Sequence, residues 1–175
     1  MSDNINPISK ISVVAYPDAC LSTRAENVVD FDDEQYLDLV DRLVKKMSEF
    51  DHCVGLAANQ IGSNLNVFVA DASKNKREVS KYGFSVVVNA AIVERSGEIK
   101  KREGCMSVTD LTVDVTRSEK IRVEGQDGSG SEISFELEGF EARVFQHEID
   151  HLHGKVILDR ARSTRDIYIR KHYTK

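Results

Sequence analysis

The stretch 146-QHEIDHLHG-154 places two histidines four positions apart, with a glutamate and an aspartate between them. On a helix, residues four apart lie one turn above each other on the same face, so His147 and His151 point in one direction. Two imidazoles in this arrangement can bind one metal ion, while the Glu148 carboxylate, further round the helix, can reach a water molecule beside it. The stretch therefore predicts a helix that carries a metal site.

The same helix has an apolar stripe next to the two histidines, formed by Ala142, Phe145, Ile149 and Leu152. Gly154 follows the stripe and predicts the end of the helix. One face of this helix is expected to pack in the core, and the neighbouring face is expected to carry chemistry.

The remaining pattern predicts an α+β fold. A long helix follows Asp32, which with Gln35 three residues later reads as its N-cap, and Leu37 and Val44 widen its apolar stripe. Residues 66–72 and 84–93 are apolar and rich in β-branched side chains, and 120–137 alternates like a hairpin. We expect antiparallel or mixed β-sheets wrapped around the helix of His147, with the long helix near the N terminus and another helix at the C terminus.

Length and composition favour one soluble domain over residues 1–175. The chain is 41% hydrophobic and 30% charged, and its net charge of −5 argues against DNA as a partner. No apolar run reaches membrane length and the first ten residues lack an apolar segment, so we expect a cytoplasmic protein without a membrane partner. Three cysteines in a reducing compartment favour a ligand or nucleophile over a disulfide framework.

Two further segments offer polar groups that a metal hydrolase needs. Cys105 follows a glycine within residues 102–108, between strand-like residues, where it is either a third metal ligand or a small buried side chain. Gln60 is the one amide with a long side chain within residues 54–62, a segment of small residues that another chain can approach closely. Alone, Gln60 also fits a surface amide.

Together these three segments resemble the three signature motifs of the peptide deformylases, in the family's order. The third motif is matched in full by His147, Glu148, Asp150, His151, Leu152 and Gly154, and the second by Glu103, Gly104, Cys105 and Ser107, with Met106 in place of the usual leucine. The first is matched by Gly55, Ala57, Ala58 and Gln60, but Cys53 replaces its first glycine.

The resemblance implies hydrolysis of the N-terminal formyl group of nascent polypeptides. It implies Cys105, His147 and His151 as ligands of iron(II), for which zinc, nickel or cobalt can substitute, and Glu148 as the group that transfers the proton. The implied oxyanion donors are the side chain of Gln60 and the backbone N–H of Met106. Val54 and Gly55 are expected to line the cleft of the N-formylated peptide, which the side chain of Cys53 would narrow.

Two alternatives come from other functional classes. An HExxH zinc peptidase would require a histidine or glutamate as its third ligand, rather than an upstream cysteine. A non-catalytic module that binds formyl peptides or ribosomes would be expected to lack Glu148 or a ligand, and this chain has all of them.

The C-terminal segment is basic although the protein is acidic. Residues 155–175 contain seven basic and two acidic side chains, a net charge of +5. Because the whole chain has a net charge of −5, residues 1–154 carry −10. A basic tail attracts phosphate-rich surfaces. Because some family members bind ribosomes through a C-terminal helix, residues 163–175 are expected to contact the ribosome.

Overall fold

The computed structural model describes residues 12–170 and shows an α+β architecture in which every strand pair is antiparallel. The helices are α1 (Glu34–Ser48) and α2 (Gly139–Leu152). The strands are β1 (Gly55–Ala57), β2 (Val67–Asp71), β3 (Phe84–Ser96), β4 (Ile99–Cys105), β5 (Val108–Arg117), β6 (Lys120–Gln126), β7 (Glu132–Glu138) and β8 (Ile167–Ile169). The predicted fold class is confirmed.

The strands form two sheets. The larger sheet has the order β1-β2-β3-β6-β7, and the smaller has the order β4-β5-β8. Only Ser118 and Glu119 separate β5 in the smaller sheet from β6 in the larger one. The chain therefore passes from one sheet to the other through a two-residue corner.

The two helices pack on opposite faces of the larger sheet. Alternation along β2 directs Phe68 into the cluster that contains α2 and Val69 into the cluster that contains α1. On the α2 side, the ring of Phe145 makes edge contacts with Phe68 and Phe135 at centroid distances of 5.3 and 5.1 Å. Burial of this apolar stripe fixes the rotation of α2, and so fixes where its neighbouring polar face points.

Gly154 ends α2 as the sequence predicts. Its φ of +69° is a left-handed conformation that favours glycine, and a Cβ atom there would lie 2.6 Å from the carbonyl oxygen of Ser22. Both observations explain why the stop is a glycine.

Helix α1 is present, but two details of its prediction are wrong. Its N-cap is Asp33, whose carboxylate accepts hydrogen bonds from the N–H groups of Gln35 and Tyr36, so Asp32 lies one residue too early. Leu37 and Val44 are exposed to solvent, whereas Leu39, which the predicted apolar stripe does not include, is buried. The sheet covers a narrower stripe of the helix than the apolar pattern indicates.

The predicted C-terminal helix is wrong for the part of the tail that the structure describes. Residues Thr164–Asp166 form a 3₁₀ turn, in which the Asp166 carboxylate accepts hydrogen bonds from the N–H groups of Arg162 and Ser163. The next three residues form β8 against β5, because Ile-Tyr-Ile suits an extended edge strand. Residues 171–175 of the predicted tail lie outside the described residues. Neither α1 nor α2 has the length and apolar character needed to cross a membrane.

Candidate active site and metal centre

The three predicted ligands meet where the end of β4 faces α2. Cys105 is the last residue of β4, and His147 and His151 lie one turn apart on the polar face of α2. One candidate ligand atom from each of the three residues lies within 4.8 Å of the other two. The Sγ atom of Cys105 and the Nε2 atom of His151 are 3.2 Å apart, close to the spacing of about 3.5 Å that two such atoms have around one tetrahedral metal ion.

The surroundings of Cys105 favour its thiolate form. Burial alone would raise the pKa of this thiol, but the charge of His151 and hydrogen bonds with both histidines bring the pKa well below its ordinary value. A thiolate, not a thiol, is the form that binds metal ions. The donor set of one thiolate and two imidazoles therefore fits a divalent transition metal.

Glu103 holds the first histidine in position. Its carboxylate lies 3.1 Å from Nδ1 of His147, which leaves Nε2 of that ring for the metal site. Burial alone would raise the pKa of Glu103, but hydrogen bonds with His147 and Arg117 lower it to about 2. Glu103 is therefore an anion that orients His147.

Arg117 connects the strand that carries one candidate ligand to the helix that carries the other two. Its guanidinium donates two hydrogen bonds to Glu103, at 2.6 and 2.9 Å, and one to Asp150 of α2, at 2.8 Å. All three side chains are buried, and the carboxylate of Asp150 also pairs with Arg160. Among residues 12–170, this carboxylate forms ion pairs with the two arginines and with neither candidate histidine ligand.

Sequence reasoning missed Arg117 and Arg160. In the sequence, Arg117 ends a strand and looks like a solvent-exposed cation. Arg117 follows Val115 by two residues and Val113 by four, so the three side chains lie on one face of the strand. Because both valines are buried, this spacing was the signal that Arg117 is buried as well.

Glu148 is buried beside the three candidate ligands. Its Oε2 atom has no hydrogen-bond partner among the described residues. Burial raises the pKa of this carboxyl group to about 7, although the nearby histidines oppose the increase. The carboxylate lies against Gly55 of β1, where a Cβ atom would be 2.8 Å from Cδ of Glu148. Glycine at position 55 therefore provides the space that Glu148 occupies.

Gln60 faces the same centre from the 3₁₀ turn Ala58–Ile61. Its Oε1 atom accepts a hydrogen bond from the N–H of Ala57 at 3.0 Å, which directs the amide nitrogen toward the site. That nitrogen lies 3.1 Å from the hydroxyl oxygen of Ser107 and 3.6 Å from Sγ of Cys105. Gln60 is buried, so the alternative of a surface amide is wrong.

An open pocket of about 220 Å³ leads to this centre. It is lined by all the predicted site residues except His151, which is buried beneath it. Val54 and Gly55 line this pocket at the start of β1, which is an edge strand of the larger sheet in the part of the chain that the structure describes. Met106, between β4 and β5, also lines the pocket.

Cys53 also lines the pocket, and its thiol donates a hydrogen bond to the carbonyl oxygen of Gly55 at 3.2 Å. Its side chain is buried among apolar residues of the α1 cluster. Burial and the nearby Glu148 raise the pKa of Cys53 to about 11, so its thiol is neutral near pH 7. Cys53 differs in this respect from Cys105.

A cysteine and two histidines that could hold one metal ion, beside a buried carboxylate and next to an open pocket, form an arrangement typical of mononuclear metal-dependent hydrolases. Comparison with known proteins narrows this class. The model of the polypeptide deformylase family matches residues 10–166, and the chain belongs to that family.

Individual members of the family are similar to this chain in sequence and structure over most of its length. The peptide deformylase of Desulfosudis oleivorans is 42% identical over 92% of this chain and 91% of its own. Peptide deformylase 3 of Shewanella oneidensis is 39% identical over 85% of this chain and 87% of its own. The crystal structure of a peptide deformylase from Legionella pneumophila superposes with a TM-score of 0.78 at 35% identity, covering 89% of this chain and 87% of that one.

Proposed function

We propose that the protein is a single catalytic domain that removes the formyl group from formyl-methionyl nascent polypeptides and releases formate. The observation that carries this proposal is the Cys105, His147 and His151 cluster beside Glu148, whose Oε2 atom has no hydrogen-bond partner among the described residues, in a chain of the polypeptide deformylase family. The proposed substrate would be met in the cytoplasm.

Cys105, His147 and His151 would hold one divalent metal ion. When bound, the metal lowers the pKa of a water molecule toward neutrality and polarises the formyl carbonyl group. Iron(II) is our proposal for the resident ion, with zinc, nickel or cobalt as substitutes, since a mixed thiolate and imidazole donor set accepts all four.

Glu148 would carry the proton. Its carboxylate accepts a proton from the attacking water, whose oxygen forms the new bond to the formyl carbon, and gives the proton to the amide nitrogen as the C–N bond breaks. The products are formate and the free amine of methionine. The buried carboxylate supports this role, because no residue within 12–170 forms a hydrogen bond with its Oε2 atom.

The amide of Gln60 and the backbone N–H of Met106 would donate hydrogen bonds to the oxyanion that forms during attack. The bond from Ala57 fixes the amide of Gln60 before substrate binds. Its nitrogen already contacts Ser107 and Cys105, so donation to the oxyanion would replace one of these contacts while the hydrogen bond from Ala57 keeps the amide in place.

The free edge of β1 would bind the peptide. An extended peptide can add to an unpaired strand edge through main-chain hydrogen bonds, which are independent of side-chain identity. Gly55 begins β1 next to Glu148, and Val54 precedes it in the wall of the pocket. This arrangement suits an enzyme that must accept many different nascent chains.

One assay separates the proposed function from its alternatives. The metal-loaded protein is incubated with formyl-Met-Ala and, separately, with an unformylated peptide that contains the same residues internally. We expect formate from the first and no cleavage of the second. Cleavage of the internal peptide would indicate a peptidase, and tight binding of formyl-Met-Ala without formate would indicate a non-catalytic module.

We further propose that the basic C-terminal segment binds ribosomal RNA. Arg162 and Arg165 are exposed and form no ion pair within residues 12–170, whereas Arg160 pairs with Asp150. Since β8 pairs with β5, deletion of residues 163–175 would also damage the smaller sheet. Substitution is therefore the cleaner test.

Arg162, Arg165, Lys171 and Lys175 are changed together to Gln, and co-sedimentation with ribosomes is measured against salt. Binding by the unchanged protein should weaken steeply as salt rises, because phosphate contacts release counterions. The variant should lose binding and keep formate release. A control with Lys76→Gln and Arg77→Gln should behave like the unchanged protein. Equal sedimentation of the four-residue variant at low salt would refute the role of the segment.

A further inference from the structure

Arg143 is a cation of the pocket wall that the proposed mechanism does not use. It lies on α2 four residues before His147, so its side chain lies one turn from that ligand on the same face. Its side chain is 17% exposed, and it lines the pocket together with Phe140 and Val144 of the same helix.

The guanidinium of Arg143 has an unused donor. Its Nε atom is buried without a hydrogen-bond partner among the described residues. The nearest carboxylate oxygen is Oε1 of Glu103 at 3.9 Å, which is too long for a hydrogen bond. Both oxygens of Glu103 are already engaged, by Arg117 and by His147.

The carboxylate nearest Arg143 already has other partners. The carboxylates of Glu103 and Asp150 pair with the guanidinium groups of Arg117 and Arg160. Arg143 is a further cation, 3.9 Å from Glu103. Its guanidinium lies 5.5 Å from the ring centroid of Phe140, so an aromatic side chain fixes its position.

Because the Nε atom is buried, an entering ligand would meet the part of the guanidinium that is exposed to the pocket, and a guanidinium binds a carboxylate better than any neutral acceptor. The ligand that enters this pocket in the proposed function is a formylated peptide. Formylation removes the positive charge of the peptide N terminus, so an acidic side chain near that end is not offset by an adjacent ammonium group.

We propose that Arg143 determines substrate specificity by binding an acidic side chain at the second or third residue of the formylated peptide. This inference rests on the proposed deformylase function. It assigns to this chain a preference among nascent polypeptides, in which those that begin formyl-Met and continue with Asp or Glu are the better substrates.

The test compares substrates of equal size. Formate release is measured for formyl-Met-Glu-Ala, formyl-Met-Gln-Ala and formyl-Met-Lys-Ala, and for the three peptides with the second and third residues exchanged. In at least one of the two positions, kcat/KM for the glutamate peptide should exceed that of the glutamine peptide by roughly three- to tenfold, the scale of a partly desolvated ion pair. The lysine peptide should be the poorest, and the ratios should shrink as salt rises.

Two variants and a control test whether Arg143 causes the preference for glutamate peptides. Arg143→Gln should bring the glutamate-to-glutamine ratio close to one, and Arg143→Lys should keep part of it. Arg77→Gln removes an exposed arginine that does not line this pocket and should leave the ratio unchanged.

The outcomes separate this inference from the proposed function. Formate release from all peptides at equal kcat/KM, or a ratio that Arg143→Gln leaves intact, would overturn the role of Arg143 while the deformylase function stands. Absence of formate from every peptide would overturn both.

Discussion

Replacing Gly55 by alanine should inactivate the enzyme through Glu148, although position 55 supplies no catalytic side chain. The added Cβ would lie 2.8 Å from Cδ and 2.9 Å from Cγ of Glu148. Carbon atoms in favourable contact are about 3.5–4.0 Å apart, so the carboxyl group must move by about 1 Å. Glu148 is only 3% exposed, and the open space beside it is the pocket that it lines, so the displaced carboxyl group would leave its present position and move into that pocket.

A displacement of this size has a known scale of effect. Misplacing a reacting group by about 1 Å costs on the order of 10²-fold in rate, or about 2.7 kcal/mol of transition-state stabilisation. Overpacking a buried site costs about 1–3 kcal/mol of stability, which in a protein of this size lowers Tm by roughly 2–12 °C. Gly55→Ala should therefore remain folded, retain its metal and lose about 99% of its turnover.

The assay measures formate release, bound metal and Tm on the same preparations. Gly128→Ala is the matched control, since its Cβ would meet only Val86 at the ordinary distance of 3.5 Å. A double-mutant cycle with Glu148→Ala tests whether the clash with Glu148 causes the loss of stability, because Gly55→Ala should cost little stability once the Glu148 side chain is absent. Turnover of Gly55→Ala above about half of the unchanged value would refute the reasoning. So would a stability cost that persists without Glu148.

Other predictions concern the proton carrier, the metal and Cys53. Glu148→Ala should keep the metal and lose at least about 10²-fold in kcat, because the ligands stay and the proposed proton carrier is gone; near-normal turnover would contradict its role. The iron(II) form should lose activity in air as the iron and the Cys105 thiolate oxidise, while the nickel form survives, and equal decay of both would argue against iron. Cys53→Gly should raise kcat/KM more for formyl peptides with bulky second residues than for formyl-Met-Ala, and an unchanged profile would show that Cys53 does not narrow the cleft. Because the pKa of Cys53 is raised from 9.0 to about 11, its alkylation by iodoacetamide at pH 9 should be roughly 50-fold slower in the folded than in the unfolded protein. The same shift should lower the stability of the unchanged protein relative to Cys53→Gly as pH rises from 9 toward 11, because the unfolded thiol releases its proton at a lower pH than the folded one. Mass spectrometry of the Cys53 peptide measures the alkylation, and thermal melts measure the stability.

Local patterns in the sequence predicted the elements that depend on local spacing. The helix of His147 and His151, its apolar stripe and its stop at Gly154 all follow from periodicity and one glycine. The hairpin of β6 and β7 follows from alternation on both sides of a Gly, Ser and Asp turn. These features require no knowledge of what lies across the core.

Features that depend on distant contacts were missed or mispredicted. The requirement for glycine at position 55 arises from Glu148, a residue 93 positions later that only the fold brings close. Burial of Leu39 in place of Leu37 depends on how the sheet covers α1, and the strand β8 depends on the free edge of β5. In each case, a partner distant in sequence decides which of several locally reasonable structures forms.

The two-residue corner between β5 and β6 also limits how the protein can vary. Arg117 and Ser118 at this corner both bind α2, Arg117 through Asp150 and Ser118 through a pair of hydrogen bonds with the side chain of Gln146. The corner therefore sets the angle between the sheet that carries Cys105 and the helix that carries the histidines. An inserted residue there would rotate one set of candidate ligands against the other, whereas the hairpin turn at residues 127–131 lies outside this linkage. Length variation among homologous chains should accordingly accumulate at such peripheral turns and spare the corner.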